Sequence, residues 1–200
     1  MFRVAARSVN RHGPFNPMRP EVCAIVNTPM LRKARVVIRA GSPTDTDAVS
    51  ILLEASYSLL LASDYDRSTL ELALPYMVKA NPKLLASGTY YVAELERGTI
   101  VGCGGWTPAK PGTDEIVEGE AHIRHFAVHP DGINGGIGTA LLTRCIEDAR
   151  SRAVHKFYCF STLNAEPFYR GLGFQKIELI SVPMTPTVDF PAVLMQLEIS

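Results

Sequence analysis

The sequence has few cysteines and no closely spaced pair of them. Its four cysteines, Cys23, Cys103, Cys145 and Cys159, lie far apart along the chain, and no CxxC motif occurs. A zinc ribbon and a dithiol redox site are therefore excluded, because both need paired thiols at short spacing. Reduced, buried thiols fit this pattern best, which predicts a cytoplasmic protein.

The sequence also lacks net charge and long apolar runs. Twenty basic side chains balance twenty acidic ones, so the broad positive surface of a nucleic-acid-binding protein is not expected. No apolar run approaches the roughly 18 to 20 residues of a membrane span, and the run over residues 51–62 is interrupted by Glu54. We therefore expect no nucleic-acid partner and no membrane span, which makes a small-molecule partner the natural alternative.

Acidic residues are scarce at the beginning of the chain. Residues 1–44 contain eight basic residues and the single acid Glu21. Because residues 1–33 hold four prolines and no sustained apolar period, we predict a flexible basic arm there and one folded domain over residues 34–200. An arginine-rich, acid-poor segment also fits an organelle transit peptide, in which case Met30 would begin the domain.

The folded part reads as a mixture of strands and helices. Hydrophobic periodicity predicts strands at residues 35–40, 89–96, 99–107, 120–129, 156–161, 174–182 and 192–199, and helices at residues 43–59, 67–80, 137–152 and 165–171. Residues 108–119 read as a solvated loop, and a proline-broken loop separates the last two strands. Helices and strands do not alternate strictly, so the fold class is α/β (α+β by some schemes) with a mixed sheet and at least one parallel crossover.

Four glycines stand directly before the long helix that forms this crossover. Residues 131–139 read Asp-Gly-Ile-Asn-Gly-Gly-Ile-Gly-Thr. Such a segment exposes backbone N–H groups at a helix N-terminus, where the helix dipole favours anions. The pattern predicts a phosphate cradle, and the alternative is a flexible surface loop with a capping glycine.

Two phosphate ligands are disfavoured by the residues around these glycines. A dinucleotide site needs an acid near the end of the next strand, and residues 156–161 end without one. The Walker pattern also fails, because no Gly-Lys-Ser or Gly-Lys-Thr follows. The cradle is therefore not predicted to bind NAD or a nucleoside triphosphate with magnesium.

Four motifs together carry a resemblance to a known superfamily. They are Phe-Ala-Val-His-Pro at residues 126–130, Gly-Ile-Gly-Thr-Ala-Leu-Leu at 136–142, Asn-Ala-Glu-Pro-Phe-Tyr at 164–169 and Gly-Leu-Gly-Phe at 171–174. In order and spacing they resemble the GNAT superfamily of acyl-coenzyme A-dependent N-acyltransferases. The resemblance implies a mixed sheet of about seven strands flanked by four helices. It also implies a splay between the fourth and fifth strands, with acetyl-coenzyme A in the opening and no metal.

The resemblance also implies which residues hold the cofactor. The backbone of Phe126, Ala127 and Val128 would pair with the pantetheine arm. The pyrophosphate would lie on the cradle, which comprises Ile133, Asn134, Gly135, Gly136, Ile137, Gly138 and Thr139. Asn164 would bind pantetheine or cap the short helix, and Phe168 would also contact the cofactor. The superfamily usually carries Gln or Arg where this chain has Ile133, so fewer side-chain contacts to phosphate are expected here.

Acyl transfer to an amine needs a base, an oxyanion site and an acid for the leaving thiolate. By resemblance, Tyr169 is the acid and the Val128 N–H is the oxyanion donor; the alternative for Tyr169 is a tyrosine packed on the sheet. Period-two alternation places Glu120 and His122 on one face of a strand, and His122 is the first candidate for the base because an ordinary imidazole is partly deprotonated near neutrality. The alternative is that both face solvent.

The predicted activity is transfer of an acetyl group from acetyl-coenzyme A to a primary amine by direct attack in a ternary complex. The alternative is a GNAT-like domain that binds coenzyme A without turnover, as a sensor or interaction module. Dimers are common in the superfamily, so a homodimer through the last strands is one expectation.

Two further groups of side chains are candidates for a metal site and for the acceptor pocket. His122, His125 and His129 have the spacing of a metal site on a helix, but the segment reads as a strand, which turns the first two to opposite faces. Three aromatic residues are candidates for the acceptor pocket, namely Tyr57, Tyr65 and Trp106. The acids of residues 114–120 would steer a cationic amine towards it.

Overall fold

The computed structural model describes residues 21–25, 35–96 and 98–199, and an eight-stranded mixed sheet forms its centre. The strands are β1 (Glu21–Ile25), β2 (Arg35–Ala40), β3 (Tyr90–Leu95), β4 (Ile100–Thr107), β5 (Glu120–Val128), β6 (Lys156–Ser161), β7 (Gln175–Thr185) and β8 (Val188–Glu198). Their order in the sheet is β1-β2-β3-β4-β5-β6-β8-β7. Only β5 and β6 pair in parallel among these described strands. The predicted mixed sheet with one parallel crossover is thus confirmed.

Five helices cover the two faces of the sheet in the described part of the chain. They are α1 (Thr46–Leu60), α2 (Arg67–Met77), α3 (Pro82–Leu85), α4 (Ile137–Ser151) and α5 (Glu166–Gly171). Apolar side chains of α1 and α3 pack on one face, and those of α4 and α5 pack on the other. No helix among the described residues is long and apolar enough to span a membrane.

The crossover helix α4 forms where its periodicity predicts it. Its buried positions include Ile137, Leu141, Leu142, Cys145 and Ala149, which recur at helical spacing and face the sheet. Burial of this stripe drives the helix onto β3, β4 and β5. The start of α4 is thereby fixed beside the end of β5.

Strands β5 and β6 pair at only one end. The register joins Glu120 to Lys156, Ala121 to Phe157 and His122 to Tyr158, and no pair follows. Strand β5 continues through Val128 against β4, whereas β6 continues through Ser161 against β8. The two neighbours therefore part after His122, which confirms the splay expected between the fourth and fifth predicted strands.

A bulge in β5 reverses which face its side chains occupy. Ala121 and Ile123 pack in the cluster that contains α4, but Ala127 packs in the cluster that contains α1. All three have odd numbers and would share one face of a regular strand. The register with β4 shifts between Cys103 and Gly105, opposite His125, which has a φ of 40°. The extra residue turns Phe126 and Val128 towards α4.

Three elements differ from the sequence-based predictions. Residues 21–25 of the predicted arm form β1, an edge strand on β2, and the remainder of residues 1–33 lies outside the described residues. Asn81 does not simply end a helix, because its side chain accepts hydrogen bonds from Lys83 N and Leu84 N and begins α3. The expected proline-broken loop is largely strand, since β7 and β8 form one long hairpin that accommodates Pro183 and Pro191.

Candidate active site

The backbone of β5 is open on the side where β6 diverges. The N–H of His129 donates to the Val101 carbonyl at 2.9 Å, which directs it towards β4. Backbone groups of successive strand residues point to opposite sides, so the N–H of Val128 points into the splay. By the same alternation the Phe126 carbonyl points there too, and it accepts a hydrogen bond of 3.4 Å from the Tyr57 hydroxyl on α1. The splay can therefore pair with an amide-bearing ligand, as an added strand would.

The cradle lies at the start of α4, next to the splay. The first hydrogen bond of the helix runs from Ala140 N to Gly136 O at 2.9 Å, so the N–H groups of the preceding helical residues have no partner within the helix. Gly136 is the N-cap and contributes no side-chain cap. These free donors, together with the helix dipole, can bind a diphosphate.

Two residues of the cradle adopt left-handed backbone conformations. Asn134 has a φ of 62° and Gly136 a φ of 82°. A Cβ on Gly136 would meet no atom within 4 Å, so space does not require glycine there. The left-handed backbone conformation does, because it is strained for residues with a side chain. Gly138 is closely packed, because a Cβ there would lie 3.2 Å from the Phe168 ring. The side chain of Phe168 thus lies directly over the first turn of α4.

A pocket of ≈ 210 Å³ opens at the splay, beyond the cradle. Its described lining comes from both helical layers, from β5 and β6 and from the β7–β8 hairpin: Tyr57, Tyr76, Met77, Ile123, His125, Phe126, Cys159, Phe160, Ser161, Thr162, Ala165, Tyr169, Val182, Met184, Phe190 and Ala192. Phe126 and Tyr169 connect the pocket to the cradle through Phe168, with ring centroids 5.1 to 6.3 Å apart. A thioester aimed by the cradle would therefore meet this pocket.

Tyr169 lies on α5 and faces the pocket. Its ring packs edge-on against Phe126, Phe168 and Phe174, and the residue is only 4% exposed. Burial raises the pKa of the Tyr169 phenol well above its ordinary value, and the neighbouring Cys159 thiol adds to the effect. A phenol is protonated at neutral pH even at its ordinary pKa, so Tyr169 has the form that a general acid needs, while the raised pKa makes its proton harder to donate.

His122 and Glu120 lie at the paired end of β5, and neither lines the pocket. His122 is 7% exposed and stacks on Tyr158 with ring centroids 5.5 Å apart, so the expectation that it faces solvent is wrong. Desolvation, with lesser contributions from Arg124 and Lys110, lowers the pKa of His122 to about 4. The ordinary imidazole pKa assumed from sequence is therefore wrong as well. Nδ1 of His122 is buried and has no hydrogen-bond partner among the described residues.

The structure places His125, which the sequence suggested only as a metal ligand, at the pocket. It lies at the bulge of β5, and desolvation lowers its pKa to about 4, with Arg124 adding to the effect. Its carbonyl accepts a hydrogen bond of 2.8 Å from the Tyr90 hydroxyl. The available sequence signal was the glycine-rich strand opposite, since Gly104 and Gly105 in a strand suggest a bulge or a close approach.

Asn164 does not cap the short helix, because the N-cap of α5 is Ala165. Its Nδ2 donates to the Leu60 carbonyl at the end of α1, at 3.1 Å. Its Oδ1 is buried and has no hydrogen-bond partner among the described residues. An N–H of pantetheine would satisfy this acceptor, so Asn164 fits the alternative in which it binds the cofactor.

Several other candidates lie elsewhere. Of the three aromatic candidates for the acceptor pocket, only Tyr57 lines it. Trp106 is buried and donates to Asp148 Oδ2 at 3.1 Å, and Tyr65 stacks on Phe190 at 4.5 Å. The acids of residues 114–120 do not line the pocket. In the described ranges, no group of three metal-ligating side chains occurs.

Comparisons with known proteins agree with this architecture. The protein-family model for an acetyltransferase (GNAT) domain matches residues 86–176. No curated protein matches the chain. Two of the similar solved structures are a GCN5-related N-acetyltransferase from Rhodopseudomonas palustris (20% identity, TM-score 0.64, 91% of this chain and 99% of that chain) and PaiA N-acetyltransferase from Thermoplasma acidophilum in complex with coenzyme A (16% identity, TM-score 0.61, 82% and 98%).

A third is ribosomal-protein-alanine N-acetyltransferase from Brucella melitensis (22% identity, TM-score 0.54, 81% of this chain and 99% of that chain). At such identities these similarities show the fold. Together with the family model, which matches residues 86–176, they show that this chain has the GNAT fold.

Proposed function

We propose that the protein transfers an acetyl group from acetyl-coenzyme A to a primary amine, by direct attack within a ternary complex. The observation that carries this proposal is the juxtaposition of three features at one place. The free N–H groups at the start of α4, the open backbone of β5 and the buried Tyr169 phenol all meet at the splay.

The residues present fit coenzyme A, although the phosphate site contains no charged side chain at Ile133. Peptide N–H groups of Asn134 and of residues 136–139 would bind the diphosphate, whereas those of Ile133 and Gly135 already donate to the carbonyls of Pro130 and Gly132. The open backbone of Phe126 and Val128 would pair with pantetheine. Ile133 adds no charge to the phosphate site, so the backbone must supply most of the binding. The buried Oδ1 of Asn164 adds one acceptor for an amide N–H.

The reaction then requires three roles from this chain. The amine nitrogen attacks the thioester carbon, and the Val128 N–H stabilises the negative charge that develops on the carbonyl oxygen. The C–S bond breaks, and Tyr169 donates its proton to the departing thiolate. The amine loses a proton to His122 or Glu120 through a water relay, because neither of these side chains lines the pocket. The position of Tyr169 in the pocket lining supports its role as the acid.

Thiol release from acetyl-coenzyme A tests this proposal with Tyr169→Phe. The substitution removes the hydroxyl and keeps the ring that packs on Phe126, Phe168 and Phe174. We expect kcat to fall by about 100-fold with the best amine, the scale of a lost general acid, while affinity for coenzyme A stays the same.

The matched control is Tyr91→Phe, which removes a hydroxyl from another buried tyrosine that lies on β3 outside the pocket. It should keep wild-type kcat. Equal rates for Tyr169→Phe and wild type would refute the acid role. Coenzyme A binding without thiol release on any amine would favour the non-catalytic binding domain instead.

A further inference from the structure

The side chains that line the pocket determine which acceptor amine it can bind, and this inference rests on the proposed function. Of the described residues that line the pocket, none is Asp, Glu, Lys or Arg. The lining is dominated by aromatic and aliphatic side chains. The only lining side chain that titrates near neutrality in its ordinary state is His125, and burial keeps it neutral at pH 7.

Two groups of apolar residues line the pocket. Phe126 and Tyr169 mark the end that adjoins the cradle. Tyr76 and Met77 from α2 and Met184 and Phe190 from the β7–β8 hairpin also line the pocket, and Met77 and Met184 pack with Phe190 in a separate hydrophobic cluster. Tyr76 is 51% exposed, which places the mouth of the pocket at α2, whereas Phe190 is 3% exposed and forms a buried wall.

Charge and size both limit what this wall can accept. A second ammonium group or a guanidinium would lose its hydration here and find no carboxylate in exchange, which is costly. The volume of ≈ 210 Å³ lies below the roughly 300 to 1,000 Å³ of sites for drug-sized ligands. A peptide chain or a polyamine is therefore a poor match, and a small body without charge is a good one.

We propose that the acceptor is a small monoamine with an apolar, aryl or alkyl, body that lies against Tyr76, Met77, Met184 and Phe190. Aromatic side chains on two walls favour an aryl group, since ring pairs add to the gain from burying apolar area.

The test measures kcat/KM for acetyl transfer to phenethylamine, putrescine and a short peptide that begins Ala-Arg. Burial of an aryl ring contributes roughly tenfold to a hundredfold in affinity, so phenethylamine should exceed both other amines by at least about tenfold. Met184→Glu places a carboxylate on the pocket wall. It should lower kcat/KM for phenethylamine at least about tenfold and raise the value for putrescine.

The matched control is Leu179→Glu, which adds the same carboxylate to the same strand at an exposed position (65%) that does not line the pocket. It should leave both values within about twofold of wild type. Because the substitution is surface-exposed, it also controls for a general effect of charge on the hairpin.

Three results would overturn the inference. Transfer that prefers putrescine or the peptide would show that the apolar wall does not select the acceptor, while the proposed function stands. A higher rate of transfer from hexanoyl-coenzyme A than from acetyl-coenzyme A, with any amine, would show that the apolar wall binds the acyl chain of the donor and not the body of the amine. No transfer to any amine, with coenzyme A bound, would refute the proposed function and this inference with it.

Discussion

At the scale of single residues, burial decides the chemistry more than residue type does. Sequence reasoning favoured His122 because an unperturbed imidazole titrates near neutrality. In the fold the side chain is 7% exposed, and desolvation lowers its pKa to about 4. His122 is therefore neutral over the whole physiological range, which makes it a weak base that is always available.

The shifted pKa of His122 predicts a pH-dependent stability. In the unfolded chain the imidazole takes up a proton below about pH 6.5, but the folded protein resists protonation until about pH 4. The contribution of His122 to the free energy of unfolding should therefore be constant above this window and decrease as the pH falls from 6.5 to 4. The contribution of His122 is on the order of 3 kcal/mol.

Denaturant unfolding at pH 7.5 and pH 4.5 checks this prediction in wild type and His122→Phe. The phenyl ring cannot titrate and can still stack on Tyr158. The variant should lose less stability on acidification than wild type, although the pKa of His125 leaves part of the loss in place. The same loss in both proteins would mean that His122 is not the buried neutral group described.

Individual site residues were predictable from sequence where the backbone alone defines the role. Gly136 directly precedes a strongly amphipathic helix and Gly138 lies in its first turn, so their place at a helix N-terminus follows from local pattern. His125 was not predictable as a pocket residue, because its direction depends on a bulge that only the register between β4 and β5 reveals. The same bulge turns Phe126 and Val128 towards α4, which alternation alone would not give.

At the scale of elements, the close contact between Gly104 on β4 and the Phe126 ring on β5 fixes the position of Phe126 beside the splay. A Cβ on Gly104 would lie 2.2 Å from the Phe126 ring, so this strand position must be glycine for Phe126 to occupy its place. Phe126 in turn contacts Phe168 and Tyr169. One glycine on β4 thus supports the aromatic cluster that joins the cradle to the pocket.

Substitution of Gly104 should therefore disturb both stability and binding. For Gly104→Ala we expect a loss of about 1 to 3 kcal/mol in the free energy of unfolding, the scale of overpacking, and weaker coenzyme A binding. The control is Gly171→Ala, because a Cβ there meets nothing within 4 Å and the backbone is not left-handed. Thermal unfolding and calorimetric titration with coenzyme A measure both quantities. Equal behaviour of the two variants would contradict this account of Phe126.

Elements that depend on local sequence were predicted well, and those that depend on a partner were not. Strands β2 and β6 match their predicted bounds, because each is a short β-prone run with clear end signals. Strand β1 was assigned to a flexible arm, since its hydrogen bonds come from the distant edge of β2. The β7–β8 hairpin was broken at its prolines in the prediction, but Pro183 and Pro191 lie within paired strands at the end of the sheet.

At the scale of the whole molecule, the crossover from β5 through α4 to β6 brings the parts of the site together. Parallel pairing holds β5 and β6 side by side at one end. At the other end, which contains the bulge in β5, the two strands part and form the splay. The apolar stripe of α4 then fixes its N-terminus beside that opening. The acceptor wall comes from segments that are distant in sequence, α2 and the β7–β8 hairpin, which is why the sequence alone left the acceptor open.

The central claim is that the peptide N–H groups at the start of α4 bind the diphosphate of coenzyme A and direct its thiol between β5 and β6. Amide resonances followed by NMR during titration of isotope-labelled protein with coenzyme A test this claim most directly. We expect saturable shifts at Gly136, Gly138, Thr139 and Val128, with much smaller shifts along β2 and β3. Absence of shifts at these amides at millimolar coenzyme A, or shifts confined to another surface, would contradict the account.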